Sequence, residues 1–256
     1  MSKASKIIAY ILIGLMLVLI LVLDISSSRK RRNIECSRIS IEVRDSAELG
    51  FIRSKDVKNI IDKEYGDYLG VKIDSIDLKK IETILESKSS ILECEAYVTN
   101  DGSLNISIKE REPVIRLLTQ SGAYFIDETG FLFPANSNYD KPLTEIEGLF
   151  SISHKYSGKL ETPKQRYWLE NLLKMMKYME SEKTWADGFE KITADRKGNI
   201  ILKPKVGKEK FYFGPPDDYE KKFEKIKDYY RYIVNLKGEG YYKSVNVKNK
   251  GQIVCK

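Results

Sequence analysis

Polar and apolar residues alternate strictly through Leu104-Asn105-Ile106-Ser107-Ile108-Lys109, the period of a strand with one buried face. The pattern stops at Glu110-Arg111-Glu112-Pro113, where three charges precede a residue that fixes φ and lacks a backbone donor. Apolar character resumes at once in Val114, Ile115, Leu117 and Leu118. A hairpin is then expected from Tyr124-Phe125-Ile126 and Phe131-Leu132-Phe133-Pro134, around a turn at Asp127-Glu128-Thr129-Gly130. One domain should therefore end here and a second begin, with so little slack between them that the two are stiffly coupled.

Upstream, Ile39, Ile41 and Val43 alternate with Ser40, Glu42 and Arg44 and predict a first strand. Ser54 is the expected N-cap of a helix that places Val57, Ile60 and Ile61 on one face, with Tyr65 extending it. Asp77 caps a second helix carrying Leu78, Ile81 and Leu85. Cys94, Ala96 and Val98 then oppose Glu93, Glu95 and Tyr97, and Asn100-Asp101-Gly102 turns into the Leu104 strand. The order β-α-α-β-β suits two helices covering one face of a three-stranded sheet.

Downstream, Thr162-Pro163 opens a helix in which Trp168, Leu169, Leu172, Leu173, Met176 and Met179 recur at steps of three and four. A methionine stripe can be an adaptable binding surface, but a core-facing side is the simpler reading. Two hairpins are expected, one from Ile192 to Leu202 turning at Lys197-Gly198-Asn199 and one from Lys203 to Phe213 turning near Gly207. A further helix starts near Asp217-Asp218, with Tyr219, Phe223, Ile226, Tyr230 and Ile233 on its apolar side. The chain closes on Ser244-Val245-Asn246-Val247, a turn at Lys248-Asn249-Lys250-Gly251, and Gln252-Ile253-Val254-Cys255. A terminal strand of this kind tends to lie on a sheet edge, where unpaired N–H and C=O groups can accept a strand from another chain.

The N-terminus follows another logic. Residues 7–23 carry no charge and are dominated by Ile, Leu and Val. At about 1.5 Å per residue they approach the ~30 Å apolar thickness of a bilayer. An uncleaved membrane anchor is the first reading. A cleaved signal peptide is the rival, with Ser26-Ser27-Ser28 as its small residues, but the apolar run is long for one and a basic stop follows it. Lys3 and Lys6 flank one side and Arg29-Lys30-Arg31-Arg32 the other, so loop charge alone favours a cytoplasmic C-terminal bulk. Large domains translocate largely regardless of this rule, and the basic run also suits lipid headgroups.

Charge divides the remainder. Residues 33–154 hold 14 Lys/Arg against 22 Asp/Glu, and residues 155–256 hold 24 against 14. The basic half intersperses acids along its helices, which describes a solvated face better than a nucleic-acid surface. A single His leaves no imidazole cluster for a metal, and Cys36, Cys94 and Cys255 show no C-x-x-C spacing. Cys36 and Cys94 fall in one sheet, where a disulfide is open in an oxidising compartment.

Catalysis finds little support. The chain has no Gly-x-Ser-x-Gly elbow, no phosphate-cradling glycine loop and no helical pair of metal-ligand histidines. His154 has no identifiable partner and reads as a solvated loop residue. Glu110 and Glu112 are paired carboxylates on paper, but beside Arg111 and Arg116 they read as interdomain ion pairs.

The β-α-α-β-β unit, the Glu110-Arg111-Glu112-Pro113-Val114 boundary and the Tyr124 to Pro134 hairpin together resemble the bacterial cell-division FtsQ/DivIB family. In that family a polypeptide-transport-associated (POTRA) domain is followed directly by a mostly β domain. The likeness extends over nearly the whole chain, although Ser244-Val245-Asn246-Val247 stands where the family often shows an Asp-Leu-Arg run. It implies an α+β protein with a cytoplasmic N-terminus (1–6), a transmembrane helix (7–23), a juxtamembrane linker (24–35), a POTRA-like domain (36–112) and a mostly antiparallel β domain with added helices (113–256). It further implies a non-enzymatic, single-pass inner-membrane protein with its bulk in the periplasm and with no cofactor, metal or small-molecule substrate. Its role would be to recruit and connect divisome proteins, linking septation to cell-wall synthesis.

The same resemblance implies that FtsB, in a complex that includes FtsL, is bound through the last strand. Carried over by position, that contact falls on Gly251, Gln252, Ile253, Val254 and Cys255, with Tyr241 and Tyr242 as aromatic anchors beside it. Ile253 and Cys255 also suit the core side of an inward-facing strand, which is compatible with docking through the backbone. The alternatives are a POTRA-type chaperone for exported chains and a membrane-tethered cell-wall hydrolase.

Overall fold

Leu104, Ile106 and Ile108 are at most 1% exposed and form the floor of a small sheet, because their strand is central although it comes last in its unit. The computed structural model describes residues 13–20, 34–44, 50–135, 139, 141–148 and 156–256. The expected N-terminal segment 1–6, most of the expected span 7–23, most of the linker 24–35 and His154 lie outside these residues. Residues 13–20 are helical, and no helix among the described residues is long and apolar enough to cross a membrane. The chain divides into two compact units, Met1–Glu110 and Arg111–Lys256.

The first unit runs β1 (Arg38–Arg44), α1 (Ser54–Glu64), a 3-10 turn (Ile73–Ser75), α2 (Leu78–Glu86), β2 (Ile91–Val98) and β3 (Ser103–Glu110). The sheet order is β1-β3-β2, with β1 parallel and β2 antiparallel to β3. Val57 and Ile61 from α1 and Ile81 and Leu85 from α2 are fully buried among the apolar residues of β2 and β3. Each such side chain contributes about 1.5–3 kcal/mol by leaving water. Asp77 caps α2 as expected, its Oδ1 accepting from the Lys80 N–H at 2.9 Å. Ser54 does not cap α1. It is the first helical residue, its hydroxyl donates to the Ile41 carbonyl, and Asp56 instead accepts from the Arg53 N–H. Cys36 and Cys94 are both buried free thiols, so the disulfide is not formed.

The second unit is built on one ten-stranded sheet. Its strands are β4 (Pro113–Thr119), β5 (Gly122–Asp127), β6 (Phe131–Pro134), β7 (Thr144–Gly148), β8 (Gly158–Lys159), β9 (Phe189–Ala194), β10 (Ile200–Pro204), β11 (Lys210–Gly214), β12 (Ser244–Asn246) and β13 (Val254–Cys255). They lie in the order β13-β12-β11-β10-β9-β7-β4-β5-β6-β8. The β4–β7, β7–β9 and β11–β12 pairings are parallel and the others antiparallel. The expected hairpins are present, and the sheet adds two strands that the sequence does not predict, β7 with a single large buried side chain, Ile146, and β8 of two residues.

Two helices supply much of this unit's core. In α3 (Pro163–Ser181) Thr162 and Gln165 form a capping box, and Leu169, Leu172, Met175, Met176 and Met179 are buried. The methionine stripe is therefore core, and Trp168 and Leu173 sit half-buried at its border. Helix α4 (Tyr219–Asp228) runs on into a π-turn over Tyr229–Val234. Tyr229 is 1% exposed and meets Phe211 in a T-shaped contact, and Tyr230 beside it also packs against Phe211, so both rings contribute to the core.

The boundary charges pair differently from expectation. Arg111 binds the buried Asp127 at 2.7 Å and Arg116 binds Glu145 at 3.2 Å, both within the second unit. Glu110, 2% exposed, accepts from the Ile52 N–H at 2.6 Å within the first. Asp127 explains why Arg111 turns this way. Its Oδ1 already accepts the Thr129 and Phe131 amides, which holds its other oxygen toward the guanidinium.

Candidate partner-binding edge

Strand β13 lies at the end of the ten-stranded sheet and, among the described residues, pairs with β12 alone, Val245 opposite Cys255 and Asn246 opposite Val254. The Lys256 N–H donates to the Ser244 carbonyl at 2.9 Å, and the Lys256 carbonyl accepts from the Ser244 and Lys243 amides at 3.0 and 2.8 Å. In an antiparallel ladder, hydrogen-bonded and non-hydrogen-bonded pairs alternate. Ser244/Lys256 and Asn246/Val254 are therefore the bonded pairs, and the N–H and C=O of Cys255 point to the open side. The same alternation places those of Ile253 there.

Side chains follow the matching phase. Ile253 and Cys255 are partly buried against the core of the second unit, whereas Gln252 and Val254 are exposed. Burial pushes the Cys255 thiol up from its ordinary value, which leaves it neutral. The strand thus offers backbone outward while its inward side chains hold it to the sheet.

The turn that delivers β13 is tied down from below. Asn246 Oδ1 accepts from the Lys248 N–H at 3.0 Å, and Gly251 takes a φ of +70°, which suits glycine. Lys225 of α4 donates to the Val247 carbonyl at 3.0 Å and to the Asn249 carbonyl. Burial, and then the neighbouring Lys222, lower its pKa. Sequence reasoning gave Lys225 no role, since a lysine interspersed with acids on an amphipathic helix reads as solvated.

The two tyrosines divide the work. Their rings meet edge to face at 4.8 Å, with Tyr241 62% exposed and Tyr242 packed against the core. Lys237 lies 5.8 Å from the Tyr241 ring. Burial, then Glu209, Cys255 and Tyr242, push the Tyr229 hydroxyl up to about 12, which keeps the floor beneath the edge uncharged. Among the described residues no cluster of three or more His, Cys, Asp or Glu is arranged to hold a metal.

Two family profiles match the chain. One, described as FtsQ/DivIB, C-terminal related, covers residues 112–256, and the other, described as a POTRA-like domain, covers residues 34–109. No curated protein matches it.

Proposed function

The chain belongs to the FtsQ/DivIB family of cell-division proteins, and from that membership we propose that it is a membrane-anchored, non-enzymatic scaffold that recruits other division proteins through its periplasmic part. The observation that carries this reading is the position of β13, at a sheet end with the Cys255 backbone facing outward. An extended partner segment adds there as an eleventh strand, with Tyr241 as the exposed aromatic beside it. By family resemblance the partner is FtsB, in a complex with FtsL, and the segment Gly251 to Cys255 is its dock.

Residues 7–23 are the anchor in this reading, holding the N-terminus in the cytoplasm. Confinement to the membrane plane raises the effective concentration of one anchored protein against another, so weak binary contacts suffice. Linking septation to cell-wall synthesis then requires only that the scaffold hold its partners together.

The edge is tested with Ile253→Pro. The substitution removes an outward amide while leaving the β12-facing amides of Val254 and Lys256 in place. Co-purification of the full-length chain with an FtsB–FtsL complex should be lost, with the first unit still folded; unchanged co-purification would sink the edge reading. A topology reporter fused after Lys256 tests the orientation, and a cytoplasmic signal would overturn it. Depletion in the native cell should give long undivided cells.

A further inference from the structure

The first unit also ends in a strand with an open side. Among the described residues strand β2 pairs only with β3, the Thr99 N–H donating to the Ser103 carbonyl at 3.0 Å and Tyr97 standing opposite Asn105. By the alternation of an antiparallel ladder, the amides of Cys94 and Ala96 point away from β3. Both are occupied. The Ala96 N–H donates to Glu82 Oε1 at 3.0 Å and the Cys94 N–H to Glu86 Oε1 at 3.4 Å. Glu82 and Glu86 are one helical turn apart on α2, so a single face of that helix lays two carboxylates along the strand. Burial and these same two carboxylates push the Cys94 thiol up to about 12.

We infer that Glu82 and Glu86 are specificity-determining residues, which cover the outward donors of Cys94 and Ala96 at the middle of β2 and so hinder strand addition along this edge. A partner that adds a strand meets this obstacle at β2 and not at β13, whose outward amides have no such carboxylates against them among the described residues. An incoming strand at β2 would have to break both contacts, of which the shorter one, from Ala96 to Glu82, would lower its affinity by roughly tenfold. The inference rests on the proposed function in one respect only, that partners of this protein dock by adding a strand.

Hydrogen exchange on the full-length chain, resolved to single amides, tests the bonds. In Glu82→Ala/Glu86→Ala the Cys94 and Ala96 amides should exchange about tenfold faster, while Glu93, Glu95 and Tyr97, which face β3, keep their protection. Glu82→Gln/Glu86→Gln retains an acceptor oxygen at each position and should restore slow exchange at Cys94 and Ala96. Equal rates at Ala96 in the native chain and the alanine pair would overturn the inference. If the alanine pair also loosens the β3-facing amides, the glutamine pair decides: slow exchange there supports the bonds, and fast exchange at Ala96 with the strand intact overturns them.

The closing role is read from self-association, with a second copy of the chain as probe. In an Ile253→Pro background, which removes the β13 edge, the alanine pair should sediment as a concentration-dependent dimer where Ile253→Pro alone does not. Freed amides without any gain in association would overturn the closing role. The exchange readout does not involve β13, and the association readout compares two chains that carry the same Ile253→Pro change, so a failure here is distinguishable from a failure of the proposed function.

Discussion

Ser244 and Lys256 exchange both of their backbone hydrogen bonds, at 3.0 and 2.9 Å, and this one pair sets the phase of the edge strand. A slip of one residue would turn Ile253 and Cys255 to solvent and exchange which amides face outward. Their apolar side chains therefore fix the register that leaves the Cys255 backbone on the open side.

The phase depends on the turn held by Lys225. Lys225→Met removes hydrogen bonds from an ammonium to the Val247 and Asn249 carbonyls, at about 1.5–3 kcal/mol of local stability. Exchange at the Val254 and Lys256 amides should quicken roughly tenfold, and partner affinity should fall without loss of the second unit's core. Unaltered exchange at both amides would show that the clamp is not needed.

Glu110 should give the first unit a pH dependence. Burial raises its pKa, against the lowering effect of the Ile52, Phe51 and Gly50 amides. Its folded pKa thus exceeds its unfolded one, and between the two values the folded state binds more protons. Its contribution to stability is greatest below the ordinary glutamate value of about 4.3 and declines as pH rises through the raised pKa. Exchange protection of the Leu104 to Ile108 amides should weaken across that window, and Glu110→Gln should flatten the trend. Glu110→Ala should cost about 1–3 kcal/mol at every pH by leaving the Ile52 N–H unsatisfied.

Asp127→Ala attacks the turn between β5 and β6. It strips the Thr129 and Phe131 amides of their acceptor and leaves the Arg111 guanidinium nearly buried without its carboxylate. Losing one partner of a buried ion pair costs about 3–5 kcal/mol, so the urea midpoint of the second unit should fall sharply. A midpoint within experimental error of the native one would refute the assignment.

Gly198 adopts a φ of +79°, and a Cβ there would lie 2.8 Å from Trp168 Nε1. That indole donates to the Gly198 carbonyl at 2.7 Å, which fixes the β9–β10 turn against α3. Gly198→Ala should cost about 1–2 kcal/mol from the left-handed backbone alone, and more from the displaced ring. Thermal unfolding with tryptophan fluorescence reads both effects, since the ring that moves is the reporter.

Much of the fold was legible because local pattern and tertiary burial agree. The alternation at Leu104 to Lys109, the Asp77 cap, the α3 stripe and the 197–199 turn each state a preference that the sheets then satisfy. The pairing of Val254 and Cys255 with β12 could be anticipated because an alternating segment after a Gly-containing turn most simply pairs with its predecessor, although the expected strand began at Gln252 and the observed one at Val254. The misses are equally particular. Ser54 lost its cap because Asp56 reaches the Arg53 amide, and the boundary arginines turned to Asp127 and Glu145, acids distant in sequence.

By itself the sequence determined where most of the strands and helices lie and which of their faces are apolar, since these follow from periods of two and 3.6 residues and from proline, glycine and capping chemistry. Only the tertiary structure decided that β7 enters between β4 and β9, that Tyr229 is buried against Phe211, that Lys225 clamps the last turn, and that Glu82 and Glu86 cover the Cys94 and Ala96 amides of β2. The physical reason is that these features join residues far apart in the chain. Parallel pairing and side chain to backbone bonds depend on what a neighbour offers in space, and neighbouring residues along the chain carry no trace of it.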